Sequence, residues 1–293
     1  GRRVGIFEDG DTVITGREID DMSAEALSEK LLSASIFARV SPEHKLKIIE
    51  LYKKAGKIIA MTGDGINDAL SLNAADLGVA MGVVGTEVAK ESADLILLDD
   101  NFGNIVNAAE EGRNIFMIIK KSILALLATN LGAIFVISFA IIFGLPLPIL
   151  AAQIIWLNLV TDTTLVTMLS FEKREKNLLR QNYKKPSRFI VDLDMLSRMF
   201  MVALIMAAGT LYLFAMNIGP DMVKAWTIAL TTLTVFQWYN VFNVRSETKT
   251  VFSRESFENK YLLWGLVSAV ILHLIAVYTP FMNNILTLTP LRL

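Results

Sequence analysis

From about residue 120 onward the chain is assembled from apolar blocks of a length that a lipid bilayer demands. The stretches at roughly 122–143, 149–170, 195–216, 222–243 and 261–279 each approach the ~20 residues that carry a helix across a hydrocarbon core. Five transmembrane helices in an all-α bundle are therefore expected. A hydrophobic content of 53% and a mean hydropathy of +0.49 over 293 residues exclude an ordinary soluble domain as the whole molecule. With 28 basic against 29 acidic residues, the balance gives no reason to expect a nucleic acid or another highly charged partner. Cys is absent, which removes disulfides, thiolate metal sites and thiol catalysis, and His44 and His273 are the two imidazoles.

The connections between the apolar blocks set an orientation. The 171–194 segment carries Lys173, Arg174, Lys176, Arg180, Lys184, Lys185 and Arg188, while Gly-Leu-Pro-Leu-Pro at 144–148 carries no charge. Basic loops stay on the cytosolic side, so the former is cytosolic and the latter external. Arg245, Lys249, Arg254 and Lys260 place the 244–260 loop with the former, and the sparse turn from Asn217 to Asp221 goes with the latter. An odd number of spans from a cytosolic N-terminal segment then leaves Leu293 external, in an integral protein of the plasma or cell membrane.

The first hundred or so residues are polar and mixed, and read as a cytosolic α/β segment ending near 110. The apolar run K-I-I-A-M-T at 57–62 leads into Gly63-Asp64-Gly65-Ile66-Asn67-Asp68-Ala69 and a helix-forming stretch, which predicts a strand, a tight loop and a helix. Ligands of open α/β sheets gather at the carboxyl ends of strands, and oxygen ligands there suit a phosphate-bound magnesium ion. Further strands are predicted at Leu77 to Met81 and Asp94 to Leu98, with a helix at Thr86 to Ser92 between them and another from Asn104 onward, giving a Rossmann-like parallel sheet. Ser41 and Pro42 open a helix in which Lys45 is placed to reach a phosphoryl group. Taken singly, an Asp-Gly pair is also an ordinary turn, and a lone early Lys an ordinary solvated side chain.

The contiguous T-G-D-G-I-N-D-A at 62–69 closely resembles the hinge motif of P-type ATPases, which belong to the haloacid-dehalogenase-like phosphotransferases. The resemblance extends through A-R-V-S-P-E-H-K at 38–45, A-D-L-G-V-A-M-G at 75–82 and A-K-E-S-A-D-L-I-L-L-D-D at 89–100. It implies a partial phosphorylation domain of haloacid-dehalogenase-like fold over 1–110, followed by the C-terminal transmembrane domain over 111–293. By the same resemblance Asp64 would bind catalytic Mg2+, Asn67 and Asp68 would hold the hinge and phosphate environment, and Lys45 would offset charge on the transferred phosphoryl group. Thr62 and Gly63 would serve cofactor binding. The family's phosphorylated Asp in D-K-T-G-T, its T-G-E motif and its nucleotide-binding domain are not among these residues, so ATP would be bound mainly elsewhere. The chain is expected to be inactive alone and to need the remaining N-terminal portion of the pump as partner.

In the second apolar block, Asn158, Thr161 and Asp162 stand at i, i+3 and i+4, the spacing of one helix face. A charged Asp at mid-bilayer costs about 2.5–3.5 kcal/mol on insertion scales, and a bound cation would offset that cost. Bonding between neighbouring helices is the alternative task for Asn158 and Thr161. Asn130 in the first block is equally a packing residue or a ligand, and Gln237 in the fourth reads better as an interfacial polar residue than as a ligand.

The run N-L-V-T-D resembles the sixth transmembrane helix of type II pumps, the best known of which carry calcium. The match puts Asn158 and Asp162 on ligands of the ion site common to calcium pumps, and Asn130 and Thr161 on ligands of the additional one. Two-site calcium pumps have acids where Ala133 and Gln237 stand here, which implies one Ca2+ per cycle. The Pro that usually follows the Asp is replaced in Asp162-Thr163-Thr164, whose hydroxyls are expected to loosen the helix through bonds to preceding carbonyls. The expected function is ATP-driven cation export, coupled through the uninterrupted stretch from Glu110 to Lys120. Sodium, potassium, manganese and protons are alternative ions. A truncated, catalytically inactive cation-binding membrane protein and a membrane-tethered phosphatase are the competing classes.

Overall fold

The computed structural model describes residue 7 and residues 10–31, 33–172, 190–245 and 259–291. The chain divides into two compact units, Gly1–Ala109 and Glu110–Leu293.

In the first unit, β1 (Thr12–Thr15) and β2 (Ala34–Ala38) form a parallel pair, with α1 (Gly16–Asp21) and α2 (Ala24–Leu31) in the crossover. Thr15 and Glu18 close the start of α1 as a reciprocal capping box. Ile14, Ile19, Leu27 and Leu31 are buried against Leu51 of α3 (Pro42–Lys54). The start of α3 uses an imidazole where a glutamate is usual. Ser41 Oγ accepts from His44 N at 3.2 Å, and His44 Nδ1 accepts from Ser41 N at 3.1 Å. Because Nδ1 accepts, Nε2 carries the hydrogen, which it donates to Asp20 Oδ1 at 2.8 Å.

A second sheet, in the order β3 (Ala60–Gly63), β4 (Leu77–Met81) and β5 (Leu95–Leu97), is parallel throughout. Its crossovers hold α4 (Ala69–Ala74) and α5 (Glu87–Glu91). The alternation is the expected one, but β3 begins at Ala60 rather than at Lys57. The Ile59 amide is drawn to Asp76 Oδ2 at 2.9 Å, outside the ladder.

The second unit is helical. The 40-residue α6 (Gly103–Ile142) stops at Gly144, whose φ of 69° permits Leu145 N to reach back to Ala140 O at 2.8 Å. Pro146 and Pro148 follow and prevent continuation. Next come α7 (Ala151–Trp156), a π-helical segment at Leu157–Asp162, and α8 (Thr163–Leu169). Beyond them lie α9 (Leu193–Met216), α10 (Met222–Asn243), α11 (Lys260–Tyr278) and a short α12 (Pro280–Leu286) opened by the Thr279-Pro280 break.

Among the described residues, four helical runs are long and apolar enough to cross a membrane: Gly103–Ile142, Ala151–Leu169, Leu193–Met216 and Lys260–Tyr278. The fourth expected span, α10, has 22 residues but is not one of them. Its buried face carries Thr227, Thr234, Gln237 and Asn240, so its polarity points into the bundle, where it packs along α9. Val136, Leu157, Met206, Leu230, Leu233 and Val277 bring five segments into one core.

Polar ties close the bundle at its ends. Lys120 Nζ meets Asp192 Oδ2 at 2.6 Å, and Arg245 pairs with Glu172, which also accepts from Asn259 Nδ2 at 2.9 Å. Elsewhere Gln153 Nε2 donates to Leu286 O at 2.9 Å and Trp226 Nε1 to Leu147 O at 2.8 Å. The basic residues used for orientation at 173–188, and Lys249 and Arg254, lie outside the described residues.

Glycines set how closely the helices approach. A Cβ on Gly209 would sit 2.7 Å from Phe236 Cζ, and one on Gly265 would sit 2.7 Å from Met168 Cγ, whereas one on Gly112 would meet nothing within 4 Å. Gly209→Ala and Gly265→Ala are each expected to lower stability by about 1–3 kcal/mol. Gly112→Ala should raise it by up to about 1 kcal/mol through helix propensity. Thermal unfolding of the three variants in detergent measures the contrast.

Candidate functional site

Two groups of polar side chains stand out, one in each unit. In the first unit, the parallel strands end at a loop that holds Thr62, Gly63, Asp64, Asn67 and Asp68. Gly63 closes β3 against the side chain of Asp68, where an added Cβ would lie 2.5 Å from Asp68 Cβ. Asp68 is 7% exposed, and its Oδ1 accepts from Lys45 Nζ at 2.5 Å. Lys45, which the sequence placed near this loop for a phosphoryl group, reaches the loop at the buried carboxylate of Asp68. Asp64 and Asn67 are exposed and Thr62 half-buried. The Asp64 carbonyl accepts from Thr86 N at 2.9 Å, which fixes the loop to the start of α5.

The fit to a divalent cation is partial. Asp64 offers an open carboxylate at the carboxyl end of a parallel strand, the right chemistry for Mg2+. Asp68 is already neutralised by Lys45, and among the described residues no group of three or more acidic or imidazole side chains converges. Asp64 would hold the ion, and phosphate or other residues would complete its shell.

Asp100 was not singled out in the sequence, yet it organises the neighbouring loop. Its carboxylate accepts from Gly82 N at 2.6 Å, Val83 N at 3.0 Å and Val84 N at 2.9 Å, with its own φ at 52°. The amides of Val83, Val84 and Gly82 hold its pKa below the ordinary carboxylate value. Thr86 follows within two residues of this clamp and bonds to Asp64, so Asp100 lies behind the Asp64 loop.

In the second unit the centre is Asp162, 3% exposed, at the end of the π-helical segment. Its Oδ2 accepts from Thr129 Oγ1 of α6 at 3.0 Å. That hydroxyl has one proton and faces two further acceptors, Leu126 O at 3.0 Å and Ala125 O at 3.2 Å. Thr161 is buried at 2% beside Asp162. Thr163 Oγ1 donates to Asn158 O at 3.0 Å, a threonine hydroxyl on a preceding carbonyl at the point where the helix widens.

Two expectations are corrected here. Asn158 does not share the buried face of Thr161 and Asp162: its side chain is exposed. Gln237 is not interfacial: it is 2% exposed, on the buried stripe of α10 formed by Leu230, Leu233, Thr234, Asn240 and Val241. Its Oε1 has no partner among the described residues. Asn130 is half-buried and donates Nδ2 to Leu126 O on its own helix at 2.8 Å. Thr129 and Asn240 were missed. Thr129 is flanked by the more conspicuous Asn130, and Asn240 by Gln237, and only the tertiary pairing separates them.

The second unit is thus a membrane-crossing bundle with an interior carboxylate, and the first a small α/β unit with acidic residues at a strand end. The profile described as "Cation transporting ATPase, C-terminus" matches residues 146–293. A "Calcium-transporting ATPase" of Bacillus subtilis (strain 168) is 41% identical over 272 residues, covering 92% of this chain and 30% of that protein. "Calcium-transporting ATPase 1" of Bacillus cereus is 39% identical, covering 97% of this chain and 34% of that protein. The human "Calcium-transporting ATPase type 2C member 2" is 35% identical over 288 residues, covering 97% and 30%. The chain belongs to the P-type cation-transporting ATPases, and it corresponds to their C-terminal portion. It spans about a third of the length of these curated relatives.

The Asp100 clamp has a pH signature. With its folded pKa below the unfolded value near about 3.9, its contribution is complete above that value and is lost as pH falls through the folded one. Amide protection factors at Gly82, Val83 and Val84, taken relative to intrinsic exchange at each pH, should therefore fall in acid. Asp100→Asn should give the low protection already at neutral pH, with α3 unaffected.

Proposed function

We propose that these residues form the hinge end of a haloacid-dehalogenase-like phosphorylation domain and the ion path of an ATP-driven cation pump. The carrying observation is Asp162, a buried carboxylate at a widened turn of a membrane-spanning run, hydrogen-bonded by Thr129 from another helix. A carboxylate is expensive to hold inside a bilayer, and an ion-binding task accounts for its position. When a cation takes the carboxylate, the Thr129 hydroxyl can turn to Leu126 O without losing a partner.

In this reading Asp162 is the charged ligand, Thr161 and Asn130 are neutral ligands, and the exposed Asn158 ligates from the open side of the same turn. Gln237 supplies the unpartnered Oε1 from α10. Calcium is the proposed ion, supported by the calcium transport after which the matched relatives are named, and a single site is proposed because Ala133 and Gln237 contribute no charge. In the first unit Asp64 would hold Mg2+ beside the phosphorylated centre, Thr62 and Gly63 would face the phosphate, and Lys45 would act through Asp68. ATP and the phosphorylated Asp would come from the rest of the pump. The first unit would be cytosolic, in a protein of the cell membrane exporting its ion.

The test uses the full-length pump containing this chain. Calcium should stimulate ATP hydrolysis, and Asp162→Asn should abolish the stimulation. Because the Thr129 bond to Asp162 belongs to the ion-free state, Thr129→Val should tighten apparent calcium affinity by up to about tenfold, the value of a hydrogen bond to a charged group, while leaving the maximal rate largely intact. Equilibrium binding should saturate at one calcium per molecule, and two cooperative ions would overturn the single site.

A further inference from the structure

A second feature of the helical unit lies apart from Asp162. Between α6, α9 and α10 there is an open cavity of about 100 Å³. Its walls are apolar, from Leu124, Ala128, Met201, Val202 and Val244, and three polar side chains interrupt them: Arg198, Asn240 and Asn243. The depth of the cavity follows from chain positions. Arg198 is the sixth residue of α9, about 8 Å along the axis from Leu193, and Asn243 is the last residue of α10. The cavity therefore sits at the bundle end where α9 begins, at the level where a bilayer changes from hydrocarbon to headgroup.

Two observations point to an occupant. Asn240 is only 2% exposed, its Oδ1 has no partner among the described residues, and its Nδ2 reaches Ala125 O at a loose 3.5 Å. A buried acceptor without a donor is costly, so a ligand that brings an O–H or N–H to Asn240 gains from it. Arg198 is exposed, and the nearby carboxylate of Asp192 has Lys120 as its direct partner at 2.6 Å. A guanidinium above an apolar cleft suits a phosphate. On the outer side of α9 the side chains of Phe200, Met201, Leu204 and Ile205 are exposed in a row suited to acyl chains.

We propose that this cavity is a site for the headgroup of a phospholipid whose phosphate meets Arg198 and whose headgroup hydroxyl or ammonium donates to Asn240. The cavity has room for part of a headgroup but not for a whole lipid. The acyl chains then run along exposed α9. Its occupant would serve to hold α9 against α6 and α10.

Titration of the intact chain in detergent, followed by native mass spectrometry, tests it with phosphatidylglycerol, phosphatidylcholine and inorganic phosphate as probes. One phosphatidylglycerol per chain should bind at least about tenfold more tightly than phosphatidylcholine, which lacks a headgroup donor. Asn240→Leu should remove that preference and Arg198→Ala should weaken both lipids by about tenfold or more, with helical content by circular dichroism and elution volume unchanged. Because Arg198 is exposed, its variant keeps the test decisive if Asn240→Leu misfolds. Equal binding of the two lipids, or an Arg198→Ala chain that binds phosphatidylglycerol as tightly as the parent chain, overturns the proposal. Displacement of phosphatidylglycerol by millimolar inorganic phosphate overturns the lipid as ligand in favour of a free anion.

Discussion

Hydrocarbon offers no hydrogen bonds, and the second unit is organised by that deficiency. A polar group that the sequence places within its apolar blocks is costly to leave without a partner inside the protein. Asp162 finds the Thr129 hydroxyl, Gln153 finds the Leu286 carbonyl, and Glu172 finds both Arg245 and Asn259. The same rule decides which helix lies inside. The polar face of α10, with Thr227, Thr234, Gln237 and Asn240, is turned inward, while α9 presents Leu204, Ile205 and Tyr212 outward.

The first unit solves a different problem, since water is available to it. Its functional residues gather because parallel strands end together, and its acidic side chains act on backbone amides as much as on ligands. Asp76 holds the entry to β3 and Asp100 holds the loop after β4. Carboxylates at a strand end therefore divide into those that build the loop and those left open, and Asp64 is among the open ones.

Much of this was legible in the sequence. Local periodicity and punctuation located β4, α5, the Gly144 stop and the helices of the bundle, because those features depend on neighbours in the chain. Asp162 was legible because a carboxylate in an apolar block has few innocent explanations. What escaped depends on distant residues. Thr129 acquires its meaning from Asp162, 33 positions away, and Asp100 from amides 16 to 18 positions before it. Asn158 was expected beside Thr161 and Asp162, but which side of a turn is covered depends on the helices packed against it, and the spacing does not say. The widened turn itself was foreshadowed by Thr163, whose hydroxyl takes the Asn158 carbonyl.

A π turn is an α-helix with one residue more than its path requires. If one residue between Leu157 and Asp162 were removed, the run would close into an α-helix and its two ends would turn against each other by roughly 100°, the advance of one residue. With α8 held by its packing on α11, Gln153 would swing away from the Leu286 carbonyl. With α7 held instead, Asp162 would leave Thr129. The extra residue thus sets the phase between the two halves of the span, so that the anchor at one end and the carboxylate at the other can both be in register.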